Sequence, residues 1–137
     1  MPAVQVQVHF GAAIEDVGEL VGAFDLIADF HPQIAGCDAD GDGVGAKRTI
    51  WLSDGQEVED RLSEVLGHGY AYEGVDSQNM RSWRGRIEIV PDGDGTNVSW
   101  TVDYEPKDGV DVDALDAQLR GVLEEGLASA RRLLAGS

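Results

Sequence analysis

A chain of 137 residues, 42% of them hydrophobic, is long enough for one domain that buries roughly two thirds of the surface its unfolded form exposes. Its 26 acids against 10 bases leave a formal charge of -16, which argues against nucleic acid and anionic membranes as partners, since both need a basic surface. No apolar run approaches the roughly 20 residues of a membrane span, no signal pattern opens the chain, and the lone Cys37 excludes an internal disulfide, so a soluble, cytoplasmic protein without a metal site is expected.

Val4, Val6, Val8 and Phe10 alternate with Gln5, Gln7 and His9, the period-two signature of a half-buried strand, so His9 should face solvent. Ile14, Val17, Leu20, Val21 and Phe24 then recur at helical spacing and predict a short helix over 13–23, weakened by Gly18 and Gly22. A second helical turn, Leu26 to Phe30, should stop before Pro32, because the residue preceding proline is pushed out of the helical region.

From Ile34 the pattern changes to strands punctuated by glycine and aspartate. Asp54-Gly55 joins 49–52 to 57–62 as a hairpin, and Asp92-Gly93-Asp94-Gly95 joins 84–90 to 96–104. Asp40-Gly41-Asp42-Gly43 is a further turn, and none of these stretches carries the ligand ladder of a calcium loop. Gly67-His68-Gly69 precedes a strand over 70–75, with His68 exposed. After Pro106, with Asp108 or Asp111 able to cap it, a long amphipathic helix runs from about Val112 to Leu134. Its stripe comprises Val112, Leu115, Leu119, Val122, Gly126, Ala130 and Leu133, widened by Leu123, Leu127 and Leu134.

The expected fold is therefore α+β, a curved six- to seven-stranded antiparallel sheet wrapped around the long C-terminal helix, with two short helices after the first strand. Wrapping hides both apolar faces and leaves room for a pocket between them.

Within that layout several residues face the interior. Val58 and Leu62 turn Asp60 inward, where two readings stay open. Without a partner, Asp60 would be a protonated acid suited to proton transfer, whereas pairing with Arg48 or Arg61 would make it structural, and two arginines in one hairpin weigh toward the pair. Trp83, Gly85, Ile87 and Ile89 share one face, Val98, Trp100, Val102 and Tyr104 the matching one, and Tyr70 and Tyr72 a third. These aromatics are core first, yet a tyrosine hydroxyl in a pocket would be an oriented donor for a carbonyl. His31, after a helical turn near the pocket mouth, is the second proton-transfer candidate, against a reading in which its ring merely bonds backbone. Arg81, near a bend, could meet an anionic ligand at the rim or simply be solvated. No serine sits in a nucleophile elbow and no glycine-rich turn ends as a phosphate loop, so covalent acyl chemistry and nucleotide hydrolysis are set aside.

Read in order, Asp29-Phe30-His31-Pro32, Gly43-Val44-Gly45-Ala46-Lys47-Arg48-Thr49, Asp60-Arg61-Leu62, Tyr70-Ala71-Tyr72, Val90-Pro91-Asp92-Gly93-Asp94-Gly95-Thr96 and Val98-Ser99-Trp100 carry a resemblance. Across essentially the whole chain the sequence resembles the START/Bet v 1-like helix-grip superfamily, in particular the bacterial polyketide cyclase/dehydrase-like group. Phe30 stands where members often have tryptophan, and Val17-Gly18 where they often have Val-Trp, changes that reshape the entrance. The resemblance implies a small hydrophobic ligand, aromatic or polyketide-like, in an internal cavity, with no cofactor and a monomer or homodimer. Asp60 and His31 are the catalytic candidates, and Tyr70, Tyr72, Arg81, Trp83, Trp100, Tyr104, Leu119 and Leu123 the ligand-binding ones. If catalytic, the protein would position a poly-carbonyl chain and move protons so that it cyclises and loses water. The alternative is a noncatalytic carrier or sensor of a hydrophobic metabolite.

Overall fold

The computed structural model describes residues 2–135. Seven strands, β1 (Ala3–Phe10), β2 (Ile34–Ala39), β3 (Lys47–Leu52), β4 (Glu57–Leu66), β5 (Gly69–Val75), β6 (Met80–Asp92) and β7 (Gly95–Pro106), form one antiparallel sheet in the order β1-β7-β6-β5-β4-β3-β2. Between β1 and β2 lie α1 (Ile14–Val21) and a 3-10 helix (Phe24–Asp29), and α2 (Val112–Ala135) ends the chain. The second short helix is thus 3-10 rather than α. Leu26 inside it departs from helical backbone angles, so it cannot accumulate the i to i-4 bonds of an α-helix.

Strand alternation sets the inner face. Trp83, Gly85, Ile87 and Ile89 are buried while Arg84, Arg86 and Glu88 are exposed, and Val98, Trp100, Val102 and Tyr104 meet them from β7. Register shifts between Ile34 and Gly36, Leu62 and Glu64, and Met80 and Ser82 bend the strands. The shift in β4 also ends its alternation, which leaves Val65 exposed. His9 faces outward, as the alternation requires, and bonds Asp92.

α2 lies in the concavity against β1 and β7. Asp111 caps it by accepting from the Ala114 N–H at 3.2 Å, which satisfies an otherwise unpaired donor. Asp108 is instead engaged by Arg81 at 2.7 Å. Leu115, Leu123, Gly126, Leu127 and Ala130 are buried, with Leu119 and Leu134 packed beside them. Val112 and Leu133, expected in the stripe, are 38% and 51% exposed. The buried seam steps by four, through 119, 123 and 127 and through 126, 130 and 134, which rotates position 133 off the sheet.

Glycines admit two close approaches. A Cβ on Gly22 would collide with the His68 carbonyl, and one on Gly18 would sit 3.0 Å from the His68 ring. The residues that weaken α1 as a helix are those that let the β4–β5 turn pack on it. At the same end Thr96, fully buried, donates to the Ala12 carbonyl at 2.9 Å and ties the β1–α1 link to β7. Among the described residues no helix is long and apolar enough to cross a membrane.

Candidate functional site

β3 and β4 pair with Arg48 opposite Asp60, and the alternation that turns Ile50, Val58 and Leu62 inward carries both charged side chains to the concave face. Arg48 Nε and Nη2 donate to Asp60 Oδ2 at 3.1 and 3.0 Å, while Trp83 Nε1 donates to Oδ1 at 2.7 Å. Arg48 Nη1 donates to the Tyr70 hydroxyl at 2.9 Å and to the Phe24 carbonyl at 2.7 Å. The guanidinium also lies over the Phe24 ring, 4.4 Å from its centroid, and 4.9 Å from that of Tyr72.

Burial works against the Arg48 charge, but the Tyr70 oxygen, the Asp60 carboxylate and the Tyr72 oxygen together hold its pKa above the ordinary value. Burial also raises the pKa of Tyr70 and of Tyr72. Both phenols are therefore neutral near pH 7, and the countercharge for Arg48 is Asp60. Of the two arginines in this hairpin, Arg61 points outward and pairs with Glu73. Asp60 is thus one half of a buried ion pair whose donors approach both carboxylate oxygens.

His31 is 2% exposed and closes the other side. Its Nε2 lies 2.8 Å from the Val122 carbonyl, which can only accept, and its Nδ1 accepts from the Gln33 N–H at 3.2 Å. That pattern requires the neutral ring protonated at Nε2. Burial lowers the His31 pKa, partly opposed by the Val122 bond and the Glu125 charge. Gly126 makes the approach possible, since a Cβ there would stand 2.6 Å from His31 Cδ2. The ring meets Trp100 edge-on at 6.1 Å.

Between these groups and α2 lies a cavity of about 320 Å³, at the lower end of small-molecule sites. Of the candidate residues, Asp60, His31, Tyr72, Trp83, Trp100, Leu119 and Leu123 line it. Ile27, Ile50, Val58, Met80 and Leu115 complete its apolar wall. Three expected ligand contacts do not line it. Tyr70 stands behind Arg48 and stacks edge-on against Phe24 at 5.7 Å. Tyr104 donates to Asp116 at 3.0 Å and pins α2 to β7, with burial and that bond pushing its pKa up to about 12. Arg81 is exposed at the β6 irregularity, where it pairs with Asp108 and lies 4.0 Å from Glu105.

The sequence reading missed the mouth. Gln33, Gln56, Gln78, Asn79 and Gln118 ring it, brought together from the stretch before β2, the β3–β4 turn, the β5–β6 loop and α2. Turn composition marked those segments as loops but carried no signal that they converge. A larger hollow of about 940 Å³ lies on the opposite, convex face of the sheet. Its lining includes Lys47, Glu59, Arg61, Glu73, Arg84 and Asp103, which alternate with the inward residues, so it is an outer trough edged by charged side chains.

A curved antiparallel sheet clasping a long C-terminal helix around a cavity is the helix-grip architecture of START/Bet v 1-like proteins. The chain belongs to the polyketide cyclase/dehydrase and lipid transport family, whose model matches residues 1–135. Among solved structures it is similar to the protein XoxI from Bacillus cereus, with a TM-score of 0.88 and 18% identity over 98% of this chain and 96% of that one. A START superfamily protein from Mycobacterium smegmatis gives 0.84 and 17% over 98% and 97%. A protein from Thermobifida fusca gives 0.79 and 27% over 96% and 93%. No curated protein matches the sequence.

Proposed function

We propose that the protein is a noncatalytic carrier or sensor that encloses a small, largely apolar molecule, aromatic or polyketide-like, between β3–β7 and α2. The observation that carries this reading is the state of its two titratable lining groups. Asp60 is held by Arg48 and Trp83, and both His31 nitrogens are taken by backbone partners. A general acid or base must reach the proton it moves, and each of these would first have to break a buried bond. Family membership supports a hydrophobic guest, and the aromatic wall of Tyr72, Trp83 and Trp100 suits a flat one. The experiment is native mass spectrometry of the purified protein, followed by incubation of the released guest, or of a synthetic poly-β-ketone, with the wild type and Asp60→Asn. Retention of an unchanged guest is the expected result. Conversion of the added molecule by wild type that Asp60→Asn abolishes would overturn the carrier reading in favour of a cyclase/dehydratase.

A further inference from the structure

Two features of the cavity, independent of the ion pair, bear on what it takes, and the inference rests on the binding reading above. The first lies inside. Trp100 Nε1 donates to the Tyr72 hydroxyl at 3.0 Å, so the tyrosine oxygen is already used as an acceptor. Its own hydrogen meets no acceptor among the described residues, although the side chain is only 6% exposed and lines the cavity. A hydroxyl fixed by one bond and open on its donor side asks for an acceptor from a guest. Gly85 sets this geometry, because a Cβ there would collide with the Tyr72 ring that lies across it.

The second feature is the mouth. In a chain of formal charge -16, the rim is built from five neutral amides, Gln33, Gln56, Gln78, Asn79 and Gln118, and the ionisable side chains that bond them among the described residues are two carboxylates, Glu125 of α2, to which Gln33 donates, and Asp54. Asp54 accepts from the Gln56 backbone and side chain at 3.0 and 2.8 Å. Among the described residues no basic side chain stands at the rim, and Arg48 at the base is neutralised by Asp60. An anionic head would lose water without gaining a countercharge, whereas amides satisfy uncharged donors and acceptors.

We propose that the cavity selects neutral over anionic ligands: an apolar body of about bicyclic-aromatic size, with one carbonyl or hydroxyl oxygen meeting the Tyr72 hydroxyl and any polar head uncharged among the rim amides. Fatty-acid-like carboxylates and phosphates are outside this class.

The test is calorimetric titration at pH 7 with three matched probes, 2-acetonaphthone, 2-ethylnaphthalene and 2-naphthoate. The ketone should bind tightest, ethylnaphthalene about tenfold more weakly for want of an acceptor, and naphthoate weakest. Tyr72→Phe should erase the gap between the first two. Naphthoate binding as tightly as the ketone, or a gap that persists in Tyr72→Phe, would overturn the inference. Tyr72→Phe also strips Trp100 of its acceptor, so a second variant on the exposed rim, Gln118→Lys, guards against misfolding. It should tighten naphthoate several-fold relative to the ketone, and an unaltered ratio of the two counts against the inference. Equal binding of all three probes removes the selectivity alone, whereas no binding by any of them removes the cavity reading as well.

Discussion

The interior has two ends made from the same residue types and packed to different densities. Where α1 covers β6 and β7, Phe10, Val17, Val21, Val98, Leu127 and Ala130 are completely buried. Toward the β3–β4 turn and the start of α2, Ile34, Leu52, Val58, Met80 and Leu119 remain half-buried because they face the 320 Å³ cavity rather than one another. The first end holds the sheet to its helix. The second is held open by a polar scaffold, Arg48–Asp60–Trp83 on one wall and His31–Val122 on the other. An apolar lining left alone would tend to collapse, since close packing is worth more than a void. Directional bonds keep these walls apart, so the packed end supplies the stability and the open end is where the proposed guest would sit.

The largest blow to this division should come from Arg48→Ala. It leaves Asp60 buried without its cation, at a cost of about 3–5 kcal/mol in chemical denaturation, while Arg48→Met with Asp60→Leu should recover most of the loss. If the single variant unfolds no more easily than wild type, the scaffold is not what holds the open end.

Next in size is a matched pair on α2. Leu127→Ala at the packed end should cost about 2–5 kcal/mol, because a fully buried side chain leaves a void. Leu119→Ala should cost about 1 kcal/mol, because its side chain already borders empty space, and should alter probe affinity instead. Equal losses would erase the distinction between the ends.

A smaller effect tests the second wall by pH. Burial lowers the His31 pKa below its ordinary 6.5, so the unfolded chain binds the proton first. The stabilisation is full above pH 6.5 and is lost as the pH falls from there toward the folded value, at up to about 1.4 kcal/mol per unit. His31→Gln should flatten that part of the stability curve between pH 7 and 5. An unchanged slope would mean that His31 is not the group responsible. The smallest effect is expected at Arg81, whose partners are on the surface. Arg81→Ala should leave both melting temperature and probe affinity unchanged, and a loss of affinity would return it to the rim.

How much of this was legible depends on how local each feature is. The inward run of Trp83, Gly85, Ile87 and Ile89, the opposing Val98 to Tyr104 face and the amphipathic α2 all follow from periodicity. So does the inward direction of Asp60. Its partner could have been narrowed further, because Arg61 is its immediate neighbour and must point the other way, whereas Arg48 had to be placed opposite it by strand register. Gly18 and Gly22 read as helix weaknesses from sequence, and only the docking of the Gly67–Gly69 turn showed what they admit. Tyr70, Tyr72 and Tyr104 read alike as inward aromatics, yet one backs the ion pair, one lines the cavity and one clamps a helix.

What the chain determined on its own is the face each residue occupies, since a Cβ direction depends only on the local backbone and its period of two or 3.6. The tertiary structure decided which faces meet, how strongly three register shifts curve the sheet, and hence that a space survives between Trp83, Trp100 and Leu119. Cavity volume and the convergence of five amides at its mouth are sums over contacts distant in sequence. No local pattern encodes such a sum, because curvature accumulates across seven strands and is set only when α2 is seated against them.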